Sequence, residues 1–284
     1  MSQQSSIARR PDFVPEDWLR CTRGFSFTSP PPAELRADRH LESANPWEQL
    51  LCVTLQAQAG DFRHADRLVR LAMSESDSHL RDSAITVFGL CAPSIQLTRM
   101  GDVFHHPDYD TRLEAYAAAC LTGSLAVAEL LAEQRTQVRG YERERVMDHL
   151  NSMLEPEDSE PVLIDSPLPD AAFVATVREM TQALRKLYGD QPAIFHGEPL
   201  TVEKLAAAIA SLCAQDEPEQ YGGIIAQLLS LIEAMTGVPY AGCLDDDCDP
   251  VLPAISHTLN SLRQSGLLAG LQPGRRYFFG HLIP

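Results

Sequence analysis

Apolar side chains begin to recur with helical spacing at Pro46. Trp47, Leu50, Leu51, Thr54 and Leu55 fall at i, i+3, i+4, i+7 and i+8, which places them on one face of a helix. Gly60 and Asp61 are expected to end that helix and cap the next, whose stripe is Phe62, Ala65, Leu68, Val69 and Ala72. The same period predicts helices near 79–91, 95–104, 110–121, 124–135 and 140–154, with breaks at Ser74–Ser78, Ala92-Pro93, His106-Pro107 and Gly123. Further on, Phe173, Val177, Met180, Leu184 and Leu187 stripe a helix over Ala171–Tyr188. Thr201 caps Val202–Ala214, and Tyr221–Thr236 is strongly apolar and closes at Gly237. Asp249-Pro250 reads as the start of a last helix that runs to Ser265-Gly266. Tyr277-Phe278-Phe279 is the only strongly strand-like run, with Ala193-Ile194-Phe195 as its expected short partner. The expected fold class is all-α, with at most a minor β-hairpin.

The helices carry a repeat register. Asp77, Arg81, Ala84 and Leu90 recur 31 residues later as Asp108, Arg112, Ala115 and Leu121. A fixed period of this size signals stacked helical hairpins, each with an apolar face that only its neighbours can bury. Residues 46–153 resemble HEAT-type α-solenoid repeats, which implies a fold that presents surfaces to other macromolecules. Arg81 and Arg112 are then expected to form a ladder of internal ion pairs with Asp77, Asp82, Asp108 or Asp110. Residues 1–45, rich in Pro, Ser and Arg around Pro30-Pro31-Pro32, read as a partly irregular segment. Its Phe13, Trp18, Phe25 and Phe27 are too many aromatics for a solvated tail, so part of it should pack on the first helices or on a partner. Residues 154–170 combine prolines with acids and read as a linker to a helical C-terminal domain over 171–284.

The net charge is -16, and every segment beyond residue 45 is net acidic. No region has the basic excess that tracks a phosphate backbone, so direct nucleic-acid binding is disfavoured. An acidic surface suits a basic protein partner. The start lacks an apolar signal core and no apolar run approaches the ~18 residues of a membrane span, so a cytoplasmic protein with no membrane association is expected. Of the seven cysteines, Cys52, Cys91, Cys120 and Cys213 sit in apolar helical runs as small hydrophobes. The set as a whole reads as reduced.

Few constellations suggest chemistry. Cys243–Asp249 places two thiols and four carboxylates within seven residues. It lacks the glycine and terminal glutamate of a calcium loop and a second pair at zinc spacing, so it is expected to lead into the helix cap at Asp249, without metal or cofactor. His105, His106, Asp108 and Asp110 occupy an inter-helix turn of the repeat, which explains them better than a metal site. The last helix followed by Arg275-Arg276-Tyr277 is shaped like a recognition helix and wing, but the helix interior offers only Arg263 as a cation. There is no nucleophile elbow, phosphate loop, dinucleotide fingerprint or zincin motif, and an enzyme is not expected.

The acidic loop at Asp245–Asp249, the helix after it, and the ending Gly274–Pro284 resemble the C-termini of bacterial polymorphic-toxin immunity proteins. The resemblance implies an antitoxin that neutralises a cognate secreted toxin, such as a nuclease delivered by type VI secretion, through stoichiometric occlusion. The alternative is a HEAT-type scaffold or adaptor for endogenous proteins. The expected contact residues are Asp245, Asp246, Asp247 and Asp249, then Glu155, Glu157 and Asp158, with Trp18, Tyr109 and Tyr141 as aromatic anchors. The apolar content of the second half would also allow a homodimer.

Overall fold

A computed structural model describes residues 9–20, 23–156, 163 and 168–284. Cys21, Glu157 and Asp158 lie outside the described residues. The fold is all-α, with eleven α-helices and two two-stranded hairpins among the described residues.

Four helices start at nearly equal intervals: α1 (Pro46–Ala57), α3 (Ser78–Cys91), α5 (Tyr109–Leu121) and α7 (Tyr141–Leu154). They stack in sequence as one row. Asn45 caps α1, Asp77 caps α3 by accepting from Leu80 N, and Asp108 caps α5 by accepting from Thr111 N, so capping residues recur with the repeat. A second row holds α2 (Asp66–Ser74), α4 (Met100–Val103) and α6 (Leu125–Arg135). Residues 95–104, expected as one helix, form a 3-10 turn over Ser94–Arg99 that runs into the single turn of α4. Thr98 and Gly101 are poor helix formers, and so short a segment cannot offset them. The α2 stripe is buried as expected, but Asp61 does not cap it. The carboxylate accepts from the Arg63 backbone N instead, and the N-cap is Ala65.

The arginine ladder is present and runs between repeats. Arg81 Nη1 donates to the carbonyls of Glu75 and Ser76, while Arg112 Nη1 donates to those of His106 and Pro107, the equivalent turn. Each guanidinium then reaches the next repeat. Arg81 meets Asp108 at 3.5 Å and Thr111 at 3.1 Å. Arg112 takes both carboxylate oxygens of Glu142 at 2.7 and 3.1 Å. Tyr116 also donates to Glu142, at 2.7 Å. One side chain thus closes its own turn and ties down the next helix.

The helix α8 (Asp170–Tyr188) packs on α6, taking the next place in the second row. The acidic segment therefore leads from α7 to a helix that packs on the repeats, where the sequence suggested a boundary before a separate domain. Arg135, 2 % exposed, fixes this contact: its guanidinium lies 2.8 Å from Asp170 and stacks 3.9 Å above the Phe173 ring. Phe173, Val177 and Thr181 form the buried stripe of α8, while Leu187 is exposed. Replacing Arg135 with alanine removes a buried ion-pair partner and a cation–π contact. The expected cost is about 2–4 kcal/mol, read as faster amide exchange across Asp170–Tyr188.

The chain then folds back along the first row. The hairpin β1 (Ile194–Phe195) to β2 (Glu198–Pro199) lies on α7, and α9 (Val202–Cys213) packs on α10 (Gly222–Thr236), which ends at Gly237 in the left-handed conformation. The helix α11 (Leu252–Gln264) is followed by β3 (Tyr277–Phe278) and β4 (His281–Leu282). The two expected strand partners belong to different hairpins, β1 with β2 and β3 with β4, linked through Gly274, which hydrogen-bonds Ala193 and Leu200. Arg276 donates to the carbonyls of Gly89 and Ala92 at the end of α3, at 2.6 Å each. These carbonyls are left open at a helix C-terminus and favour a cation. The wing-like arginine is thereby spent inside the fold. The four N-terminal aromatics join this assembly: Phe13, Trp18, Phe25 and Phe27 contact one another, Trp18 contacts Trp47, and Phe25 contacts Phe278 and Phe279.

Candidate functional site

Between α3 and α5 on one side and α10 on the other lies a cleft of about 510 Å³. The N-terminal residues Asp17–Arg20 and the acidic loop, through Asp246 and Cys248, form its remaining walls. Asp82 and Glu114 face it from successive repeats. Thr86 Oγ1 lies 2.9 Å from Glu114 Oε1 and 3.0 Å from the Asp82 carbonyl. Burial pushes the Asp82 carboxyl up to about 6, and Glu114 adds repulsion against the opposing Arg81 and Arg20. Burial also raises Glu114, with the Thr86 hydrogen bond opposing it. His79 hands Nε2 to the Trp18 carbonyl at 2.9 Å, and burial lowers its titration.

Three residues lining this cleft carry buried polar atoms with no hydrogen-bond partner: Asp82 Oδ1, Ser83 Oγ and Trp18 Nε1. Buried polar groups are normally paired, and leaving one unpaired costs about 1–3 kcal/mol. Carboxylate, hydroxyl and indole N–H together offer acceptors and donors to an incoming group.

A second chamber of about 310 Å³ adjoins the first, with Leu121 and Gln227 belonging to the walls of both. It is mostly apolar, lined by Cys120, Phe195, Ala208, Leu212, Leu228 and Leu231. His149, 5 % exposed, lines it with Nε2 unpartnered. Burial depresses that imidazole to about 3, so it is neutral at physiological pH. Burial pushes the Cys120 thiol up to about 12.

The expected contact residues separate. Asp245, Asp246, Asp247 and Asp249 are exposed together in one loop. Asp245 organises it: its carboxylate accepts from Asp247 N at 3.0 Å and Asp249 N at 2.9 Å. Asp249 is not the helix cap. Its carbonyl accepts from Asp245 N, Leu244 bridges to Pro250, and the helix begins at Leu252 after Val251. The loop closes against the start of α10, where only a glycine at 222 leaves room for the Cys248 carbonyl. Tyr109 and Tyr141 are exposed at the first positions of α5 and α7, which makes them repeat-equivalent on one edge of the stack. Trp18 is fully buried, so it cannot anchor a partner from the surface of this fold. Glu155, 3 % exposed, accepts from Leu163 N at 2.8 Å and is spent on its own segment.

The cysteine loop does not gather ligands either: Cys243 is buried beside Thr258. Among the described residues no three His, Cys, Asp or Glu side chains come together to hold a metal ion. The repeat turn explains His106, whose Nδ1 accepts from Asp108 N at 3.1 Å. No helix among the described residues is long and apolar enough to cross a membrane. No family model, curated protein or solved structure matches the chain.

Proposed function

We propose that this protein is an immunity protein that neutralises a basic toxin by stoichiometric binding. The observation that carries the reading is the cleft, where the buried Oδ1 of Asp82 has no hydrogen-bond partner among the described residues and carboxylates of two repeats and of the acidic loop share one concavity. Such a concavity favours a lysine or arginine side chain from a partner, because a charge-assisted hydrogen bond would satisfy the orphaned oxygen. The net charge of -16 supports the same sign of partner and would speed its encounter. Tyr109 and Tyr141 supply exposed aromatic surface at the edge of the stack.

The test is co-expression. The toxic domain encoded beside this chain is expressed in a sensitive bacterium with and without it, and complexes are recovered through a tag. Rescue with a stable 1:1 or 2:2 complex is expected. Lysines in place of Asp245–Asp247 should then slow association about tenfold or more at low salt, with the difference fading as salt rises. Failure of both rescue and co-purification would overturn the immunity reading in favour of an adaptor that uses the same surface.

A further inference from the structure

We propose that the carboxylate cleft and the apolar chamber beside it form one binding site for an amphipathic cation, a ligand that joins an amine or guanidinium to an aromatic or branched aliphatic body. The two chambers share Leu121 and Gln227, so one ligand can span both. Their chemistry is divided. The first chamber holds Asp82, Glu114 and Asp246 against Arg20, with Asp17 already paired to Arg23 at 2.8 Å, and its Asp82 Oδ1 lacks a donor among the described residues. The second holds the Arg145–Asp148 pair at 3.2 Å, which cancels its own charge, and otherwise presents mostly apolar walls interrupted by His149, Ser152, His196 and Gln227. A cation is therefore drawn to the first chamber and excluded from the second, while an apolar body gains from the second alone. At about 310 Å³, the second chamber is of the size that takes a single aromatic ring with part of its chain. The unpartnered Nε2 of His149 sets a polar limit to that body and favours one hydrogen-bonding atom there. The same ligand chemistry comes from a free arylalkylamine or from a lysine close to an aromatic residue on a protein.

Titration calorimetry on the full chain at about pH 7.5 tests the site and distinguishes the two sources. The probes are 4-phenylbutylamine, the acetylated and amidated tripeptide Lys-Gly-Phe, 4-phenylbutanoic acid, which has the same body with the opposite charge, and butylamine, which has the charge without the body. The amine or the tripeptide should bind at least tenfold more tightly than the acid and than butylamine; the tighter of the two identifies the source. Asp82→Asn, which keeps the shape and removes the charge, should weaken the cationic probe about tenfold or more. Ile224 lines the apolar chamber and is 51 % exposed, so Ile224→Gln leaves the fold intact. It should weaken 4-phenylbutylamine severalfold and leave butylamine unchanged. Equal binding of acid and amine, no saturable binding of any cationic probe at millimolar concentration, or binding indifferent to both substitutions would overturn the site. The site shares its cleft with the proposed toxin contact, but rescue can still succeed through the acidic loop and the two tyrosines when no cationic probe binds, so the two readings fail separately.

Discussion

Raising the pH from about 5 to about 8.5 is expected to destabilise this protein by several kcal/mol through a single side chain, Glu233. It lies in the last turn of the apolar helix α10, is 3 % exposed, and accepts from the Phe25 backbone N at 3.1 Å. Burial lifts its carboxyl from the usual 4.5 to about 8, and the Phe25 hydrogen bond only partly opposes this. The folded state holds the proton through the window in which the unfolded chain gives it up. The stability that Glu233 contributes is therefore fully present below about 4.5 and is lost as pH climbs through the window to about 8. At 1.36 kcal/mol per pH unit the loss is about 3–5 kcal/mol. Glu233→Gln keeps an oxygen for Phe25 N and cannot ionise. It should match the parent near pH 4.5, exceed it by most of that amount at pH 8.5, and show a flatter profile between. Urea midpoints of both proteins over this range make the measurement. Parallel profiles would mean that Glu233 ionises freely in the native state. Carboxylates such as Glu142, held below the usual range chiefly by the Arg112 hydrogen bond, act in the opposite direction at lower pH, so the difference between the two proteins isolates Glu233.

The stack was legible in the sequence because its signals are local. Asp77 and Asp108 advertise helix starts through a side chain that only a cap needs, and Arg81 and Arg112 repeat because each must close an identical turn. The place of α8 was not legible. A proline-rich acidic stretch announces a loop, but loop composition says nothing about whether the helix beyond it packs on the helices before it. Asp249-Pro250 carried a start signal, but the Asp249 backbone pairs with Asp245 inside the loop, so the helix begins after Val251. The cleft was least legible of all. Its walls come from Asp17 through Cys248, far apart along the chain. Asp82, Glu114 and His149 each fall at helical positions that, read alone, look like a solvated face. Only the return of α10 across the first row places them in a common cavity, and no helical period records that return.

Trp18→Ala is expected to show that this residue belongs to the core, contrary to its sequence reading as an anchor for a partner. The indole is fully buried, stacks on Phe27 at 5.5 Å, meets Phe25 edge-on at 6.4 Å and tilts against Trp47 at 6.4 Å. Its own carbonyl holds His79. Truncation opens a cavity where the N-terminal segment, α1 and α3 meet, which costs about 3–5 kcal/mol. For a chain of this size that corresponds to a fall in melting temperature of about 10 °C. Trp18→Phe separates the contributions. It retains most of the aromatic packing and removes an indole N–H that has no partner in the fold, so its loss should stay below about 2 kcal/mol. An anchor residue would behave otherwise: both variants would melt with the parent, and only partner binding would fall. Stability that drops steeply in the alanine variant and slightly in the phenylalanine variant places Trp18 in the wall of the cleft. The residues left to meet a ligand are then those whose bonds the fold does not complete, Asp82 and Ser83 in the first chamber and His149 in the second.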